Sequence, residues 1–117
     1  PSPSHKYKLN WQAILYFKGA DAPALDCPVM LEQFSVQDIS APDGRQGDRY
    51  HAWQKPLEIA DRFIRHSTKP GDAVLDPFAC TGTFLIAAAG LGRDAKGCDI
   101  SAENIAIAGE RGCLISK

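Results

Sequence analysis

The pattern of apolar and polar positions changes character near Trp53. Before it, one apolar run, Trp11 to Phe17 (Trp-Gln-Ala-Ile-Leu-Tyr-Phe), closes at Lys18-Gly19 and predicts a strand buried on both faces. From Gly19 to Trp53 the turn formers Pro23, Pro28, Pro42, Gly44 and Gly47 interrupt every apolar stretch, which predicts a long loop region with one short strand near Val29 to Phe34. A stretch that long without regular structure is usually functional or poorly ordered. Beyond Trp53 the periods become regular. Leu57, Ala60, Phe63 and Ile64 recur at helical spacing, Ile59 widens the stripe, and Pro56 suits a first turn, so a helix is expected from Pro56 to His66. Pro70-Gly71-Asp72 turns the chain into a strand, Ala73 to Leu75. Alanine-rich Thr83 to Leu91 predicts a second helix closed by Gly92, and Asp94 to Asp99 a second strand. Ser101 is a cap, with Glu103 in the first turn, for a last helix from Ala102 to Arg111, ended by Gly112. Helix, strand, helix, strand, helix is a parallel α/β pattern.

Composition narrows the classes. With 117 residues, 44% of them apolar, the chain forms one domain or part of one. Its 13 basic and 14 acidic side chains give neither a basic stripe nor an acidic tail, so a nucleic-acid partner has to be argued on other grounds. Cys27, Cys80, Cys98 and Cys113 show no metal-ligand spacing and no disulfide framework; no metal is expected, and Cys27, Cys98 and Cys113 read as packing residues. His5, His51 and His66 read as surface or turn residues, and Trp11, Tyr16 and Phe17 as core rather than base-stacking groups. No apolar run approaches the ~20 residues that cross a bilayer, and no signal peptide is visible, so the expectation is a soluble, cytoplasmic protein with no membrane partner. Pro1 to His5 lacks apolar anchors and is expected to fray; a start at Pro1 suggests a processed or trimmed beginning.

The stretch Ala73 to Phe84 holds the candidate chemistry. A short apolar strand ends in Asp76, passes through a turn of small residues and enters an apolar helix; the next strand ends in Asp99, 23 positions on. In a right-handed β-α-β unit both strand ends lie on one edge of the sheet, where ligands collect and a second carboxylate can accept from ribose hydroxyls. Only Gly82 of a G-x-G-x-x-G pattern is present, with Cys80 and Thr83 where flexibility would be wanted, so a pyrophosphate is disfavoured. An adenosine-bearing cofactor with a positively charged amino-acid end fits better, because Asp76 can pair with an ammonium. The plainer alternative is that both carboxylates cap turns or helices, that Lys55 is a solvated helix-start lysine and that Phe78 is core.

Taken in order, His51-Ala52-Trp53-Gln54-Lys55-Pro56, Pro70-Gly71-Asp72, Leu75-Asp76-Pro77-Phe78-Ala79-Cys80-Thr81-Gly82-Thr83 and Gly97-Cys98-Asp99-Ile100 resemble the C-terminal half of DNA amino-methyltransferases. These are S-adenosylmethionine-dependent enzymes acting on adenine N6 or cytosine N4, and the order is that of the circularly permuted group with the cofactor motifs last. The resemblance is close over Trp53 to Ala108 and looser over Tyr7 to Gly19. It implies a partial Rossmann-like methyltransferase domain, a mostly parallel sheet with flanking helices, divided into 1–52, the end of the catalytic half, and 53–117, the cofactor-binding half. It further implies that Asp76, Pro77, Phe78, Ala79, Cys80, Thr81, Gly82 and Thr83 wrap the methionine part of the cofactor and that Lys55 lies near its carboxylate. Asp99 would hold the ribose, with Phe78 and Ile100 flanking methionine and adenine.

Two departures matter. Cys80 stands where the family usually has glycine, and a positive φ there would cost Cys more than Gly. The family's Asp/Asn/Ser-Pro-Pro-Tyr/Phe/Trp segment, which grips the flipped-out base, does not occur in these 117 residues; Asp76-Pro77-Phe78-Ala79 belongs to the cofactor loop. No catalytic residue is therefore expected in this chain, which resembles the latter half of a longer enzyme. A missing N-terminal half or a partner chain would supply the acceptor site, duplex DNA being met by the intact enzyme. An exposed edge on the strand of Val74 would favour self-association into a homo-oligomer. A non-catalytic cofactor-binding or assembly module, and a small nucleotide-dependent oxidoreductase, are the other readings; the glycine pattern disfavours the second.

Overall fold

The computed structural model describes residues 11–47 and 49–116. The expectations for Pro1 to His5 and for the beginning of the Tyr7 to Gly19 match lie outside the described residues. Five regular elements follow Trp53 in the expected order: α1 (Leu57–Ser67), β1 (Ala73–Asp76), α2 (Thr83–Gly90), β2 (Asp94–Gly97) and α3 (Ala102–Glu110). β1 and β2 pair in parallel, Ala73 opposite Asp94 and Asp76 opposite Gly97, so both strands end at the same edge.

Each boundary has a local cause. α1 starts after Pro56, whose fixed φ suits the entry, and closes at Thr68, where the backbone N–H and the hydroxyl both donate to the Ile64 carbonyl. Arg93 then ties the ends of α1 and α2 together, donating to the hydroxyl and carbonyl of Thr68 and to the Leu91 carbonyl. α3 is capped by the Ser101 hydroxyl, which accepts from the Asn104 amide. α2 is apolar all round, which only a buried helix tolerates, and it lies against α1 and both strands. The core is correspondingly small: Ala60, Ile64, Ala87 and Ala88, with Val74, Phe84, Leu91 and Ala95 packed against them. Alanines at the α1–α2 contact let the two helix backbones approach closely.

The segment before Trp53 departs from expectation. Trp11 to Phe17 forms no strand, and Trp11, Ile14, Leu15, Tyr16 and Phe17 are all exposed rather than core. A strand exists only where another strand completes its ladder, and among the described residues nothing pairs with this run. The expected strand near Val29 to Phe34 is a single 3-10 turn, Met30–Gln33, closed by the Glu32 amide donating to the Val29 carbonyl; a second, Gly44–Gln46, follows Asp43, whose side chain accepts from the Arg45 amide. His66, expected at the surface, is buried.

The 3-10 turn and the buried His66 meet at the Glu32 carboxylate. It accepts from Arg65 and lies 2.7 Å from His66 Nε2, with Arg62 Nε at 3.5 Å, and so clasps the irregular segment onto α1. The guanidinium of Arg65 and then the hydrogen bond to His66 hold its carboxyl below the ordinary value of 4.5. A carboxyl whose folded value is lowered stabilises the contact above its unfolded value, and that stability is lost as pH falls through the folded value. Acidification below 4.5 is therefore expected to free residues 26–37 while α2 stays protected, and Glu32→Gln to do the same at pH 7. Hydrogen exchange at 26–37 compared with 84–90 reads it; equal loss of protection in both segments would contradict the clasp.

β1 has no partner on its far edge among the described residues, and Leu75, which faces away from the α1–α2 layer, is three-quarters exposed. Among the described residues no helix is long and apolar enough to cross a membrane.

Candidate cofactor site

The turn between β1 and α2 is built by hydrogen bonds from its own amides. Asp76 Oδ1 accepts from the Phe78 amide at 3.0 Å, Ala79 donates to the Cys98 carbonyl, Cys80 to Asp99 Oδ2 and Gly82 to the Ala79 carbonyl. Four amides committed inside the chain leave less of the free-amide nest that a pyrophosphate requires. The turn ends at Gly82 (φ 81°), the residue before α2, where a side chain would be strained and its Cβ would lie 2.8 Å from the Cys113 sulfur.

Cys80 is the one described non-glycine residue with positive φ, 48°. This is the position where the resemblance calls for glycine. A Cβ in the left-handed region costs about 1–2 kcal/mol. Cys80→Gly is therefore expected to raise stability by about 0.5–1 kcal/mol, after the extra chain entropy of glycine is subtracted. A denaturant midpoint below wild type would contradict that. The Cys80 sulfur lies 4.0 Å from His51 Nδ1, which also accepts from the Trp53 amide.

Asp99 is tied in from three sides. Oδ1 accepts from the Ser101 amide at 2.9 Å and from the Asn104 side chain, and Oδ2 from the Cys80 amide at 2.9 Å. The Ser101 amide chiefly, then the Cys80 amide and the Asn104 side chain, hold its carboxyl below the ordinary range, so it stays ionised. A carboxylate has about four lone-pair sites, so one remains for an outside donor.

A cleft of about 490 Å³ opens beside the turn, lined on one wall by Trp53, Gln54 and Lys55 and on the other by the end of β1, the turn and the start of α2. Of the residues singled out by sequence, Lys55, Asp76, Phe78, Ala79, Cys80, Thr81 and Thr83 line it. Pro77, Gly82, Asp99 and Ile100 do not; Asp99 and Ile100 stand at the adjacent end of β2. Lys55 is exposed, and its ammonium donates to Gln12. Phe78 is not core, at 85% exposed, and Ile100 is wholly exposed, so two large apolar side chains stand in water beside the acidic strand ends. Thr81 and Thr83 are buried, and both hydroxyls accept from Arg111. Cys98 is exposed rather than a packing residue, while Cys27 and Cys113 are half-buried.

Arg111 is the residue that sequence reading missed. It lies 30 positions beyond Thr81, and only its place as the basic residue closing the last helix marked it.

Two parallel strands, the first ending in Asp76 and the second followed two residues on by Asp99, joined through a tight small-residue turn and a helix, form a Rossmann-like α/β unit. Residues 5–110 match the family model described as DNA methylase, and the chain belongs to that family. It is 46% identical over 55 residues to the type II methyltransferase M1.MboII of Moraxella bovis, covering 47% of this chain and 21% of that protein. With the type II methyltransferase M.HinfI of Haemophilus influenzae it shares 39% identity over 86 residues, 68% of this chain and 24% of that protein. The chain thus spans about a quarter or less of the length of these relatives. Among solved structures, the M1.HpyAVI–SAM complex matches with a TM-score of 0.53 at 34% identity, over 56% of this chain and 32% of that one. The cytosine-N4-specific PvuII DNA methyltransferase matches with a TM-score of 0.60 at 23% identity, over 80% of this chain and 38% of that one, which is a likeness of fold.

Proposed function

We propose that this chain is the S-adenosylmethionine-binding portion of a site-specific DNA methyltransferase acting on an exocyclic amine, adenine N6 or cytosine N4. The observation that carries the reading is the juxtaposition at the strand ends: a cleft edged by Asp76 and Lys55, with Phe78 and Ile100 exposed beside it and Asp99 held ionised at the next strand end. Membership of the DNA methylase family and the likeness to the M1.HpyAVI–SAM complex support it.

The residues fit such a cofactor by their chemistry. Bound S-adenosylmethionine supplies an activated methyl group on a sulfonium sulfur. Asp76 keeps one oxygen, Oδ2, for the ammonium of the amino-acid end, since Oδ1 already holds the Phe78 amide. Lys55 on the facing wall pairs with the carboxylate of the same end. Asp99 would accept from a ribose hydroxyl at its one remaining site, and the exposed Phe78 and Ile100 would cover apolar faces of the methionine chain and of adenine, excluding water. The committed amides of the turn disfavour a dinucleotide, whose pyrophosphate would need them.

The acceptor side belongs to residues outside this chain, because the Asp/Asn/Ser-Pro-Pro-aromatic segment does not occur in its sequence. Residues 1–52 are read as the end of that catalytic half and 53–117 as the donor half. The same absence favours a second reading, a non-catalytic cofactor-binding or assembly module. Both are tested by titrating the purified chain with S-adenosylhomocysteine and with NAD, then assaying methyl transfer to duplex DNA. Binding of the first ligand alone, and no transfer, is expected. Binding of NAD alone would overturn the cofactor assignment, and transfer without a second chain would overturn the division of labour. Transfer appearing when a chain carrying the missing segment is added separates the split enzyme from the silent module.

A further inference from the structure

Arg111 joins parts of the site that are otherwise separate. Its Nη1 donates to the Thr81 carbonyl at 2.8 Å, to the Thr81 hydroxyl at 2.9 Å and to the Thr83 hydroxyl at 3.0 Å. Thr81 is 1% exposed, so these three acceptors have lost water, and the guanidinium replaces it. The same guanidinium lies over the ring of Tyr50, 4.9 Å from its centroid. Tyr50 opens the segment that forms the opposite wall: its amide donates to Gln54 Oε1, and Gln54 and Lys55 line the cleft. Arg111 is not among the residues that line it. One side chain therefore grips the turn on one hand and the facing wall on the other without standing in the space between.

We infer that Arg111 is a positioning residue for the donor site, with Tyr50 as its second half: it fixes the turn 79–83 and sets the width of the cleft against the 53–55 wall. Cation and helix end alone do not explain the geometry. A lysine or arginine that merely complements the C-terminal end of α3 would lie over the last carbonyls of its own helix. Here the head group reaches across to the first turn of α2 and to a residue 61 positions upstream (111 − 50).

The affinity part of the test rests on the cofactor reading above; the exchange part does not. Arg111→Met, Arg111→Lys, Tyr50→Leu and Tyr50→Phe are compared with wild type in the 117-residue chain. Arg111→Met is expected to speed amide exchange at 79–83 by about tenfold in the absence of ligand, with α1 and the interior of α2 unchanged, as for local opening. It is expected to weaken S-adenosylhomocysteine binding by about 10- to 100-fold, the scale of losing charged hydrogen bonds that orient a site. Arg111→Lys, which keeps the charge but not the planar fork, should recover part of both, and Tyr50→Phe, which keeps the ring, should match wild type. Tyr50→Leu should weaken binding by about threefold. Tyr50 is half-exposed, so its variants carry the test should Arg111→Met fail to fold. Exchange rising equally in all helices, or Tyr50→Leu and Tyr50→Phe behaving alike, would overturn the inference. Wild type failing to bind S-adenosylhomocysteine would strike the cofactor reading, while the exchange at 79–83 still decides the role of Arg111.

Discussion

Gly97→Ala is expected to cost about 3 kcal/mol of stability, the upper end of the range for overpacking. A Cβ at Gly97 would lie 2.7 Å from the Asp76 carbonyl, 3.0 Å from Leu85 and 3.1 Å from Ala79. The carbonyl cannot yield. It accepts the Cys98 amide at 3.1 Å, the bond that carries the parallel pairing past the strand ends, and it belongs to the residue whose side chain organises the turn. Relief would have to come from moving β2 away from β1, which pulls Asp99 off the Cys80 amide. The buried apolar residues that resist this are five alanines and one isoleucine, so such a loss is a large share of the total. Denaturant unfolding with Gly90→Ala as control measures it. A Cβ at Gly90 meets nothing within 4 Å, so that variant should be neutral or stabilising. Equal midpoints for the two would contradict the close approach.

Asp99→Ala is expected to weaken S-adenosylhomocysteine binding by about 100-fold, since a charged acceptor is lost from both ligand and protein. Two losses combine. On the proposed assignment the ribose loses its acceptor, and the Cys80 amide, at the residue with positive φ, loses its partner. Asp99→Asn separates them: its single carbonyl oxygen can serve the Ser101 or the Cys80 amide but not both, so an intermediate loss is expected. The pH dependence follows from the lowered carboxyl. Its stabilisation is complete above the ordinary value of 3.8 and disappears as pH falls through the lower folded value, so this group leaves affinity flat at neutral pH. Calorimetry across pH checks both; an Asp99→Ala affinity within twofold of wild type would show that Asp99 only braces the turn.

The part of the fold after Trp53 was legible because its causes are local. Pro56 ahead of an apolar stripe, an alanine-rich run after Gly82 and the cap Ser101 with Glu103 in the first turn each define an element within one or two turns of chain. Asp76 and Asp99 were legible as a pair because parallel pairing brings successive strand ends to one edge. What was not legible depends on distant partners. Trp11 to Phe17 has the composition of a strand, but a strand is decided by its neighbour, and its apolar side chains stay exposed. Glu32, in the 3-10 turn Met30–Gln33, meets Arg65 and the buried His66 through contacts spanning more than 30 positions. Arg111 reaches Thr81 and Tyr50 in the same way. The strain at Cys80 lay between these cases: the missing glycine was visible, and the positive φ of 48° supplied its consequence.

The turn from Asp76 to Thr83, with Asp99 beside it, is proposed as the donor site of a DNA methylase. Amide chemical shifts of the isotope-labelled chain, followed while S-adenosylhomocysteine is added, test it most directly. Saturable shifts are expected at 53–55, 76–83 and 97–100, with little change in the groove between α1 and α2 lined by Leu57, Ile86 and Leu91. Shifts centred on that groove, or none at any concentration, would contradict the assignment.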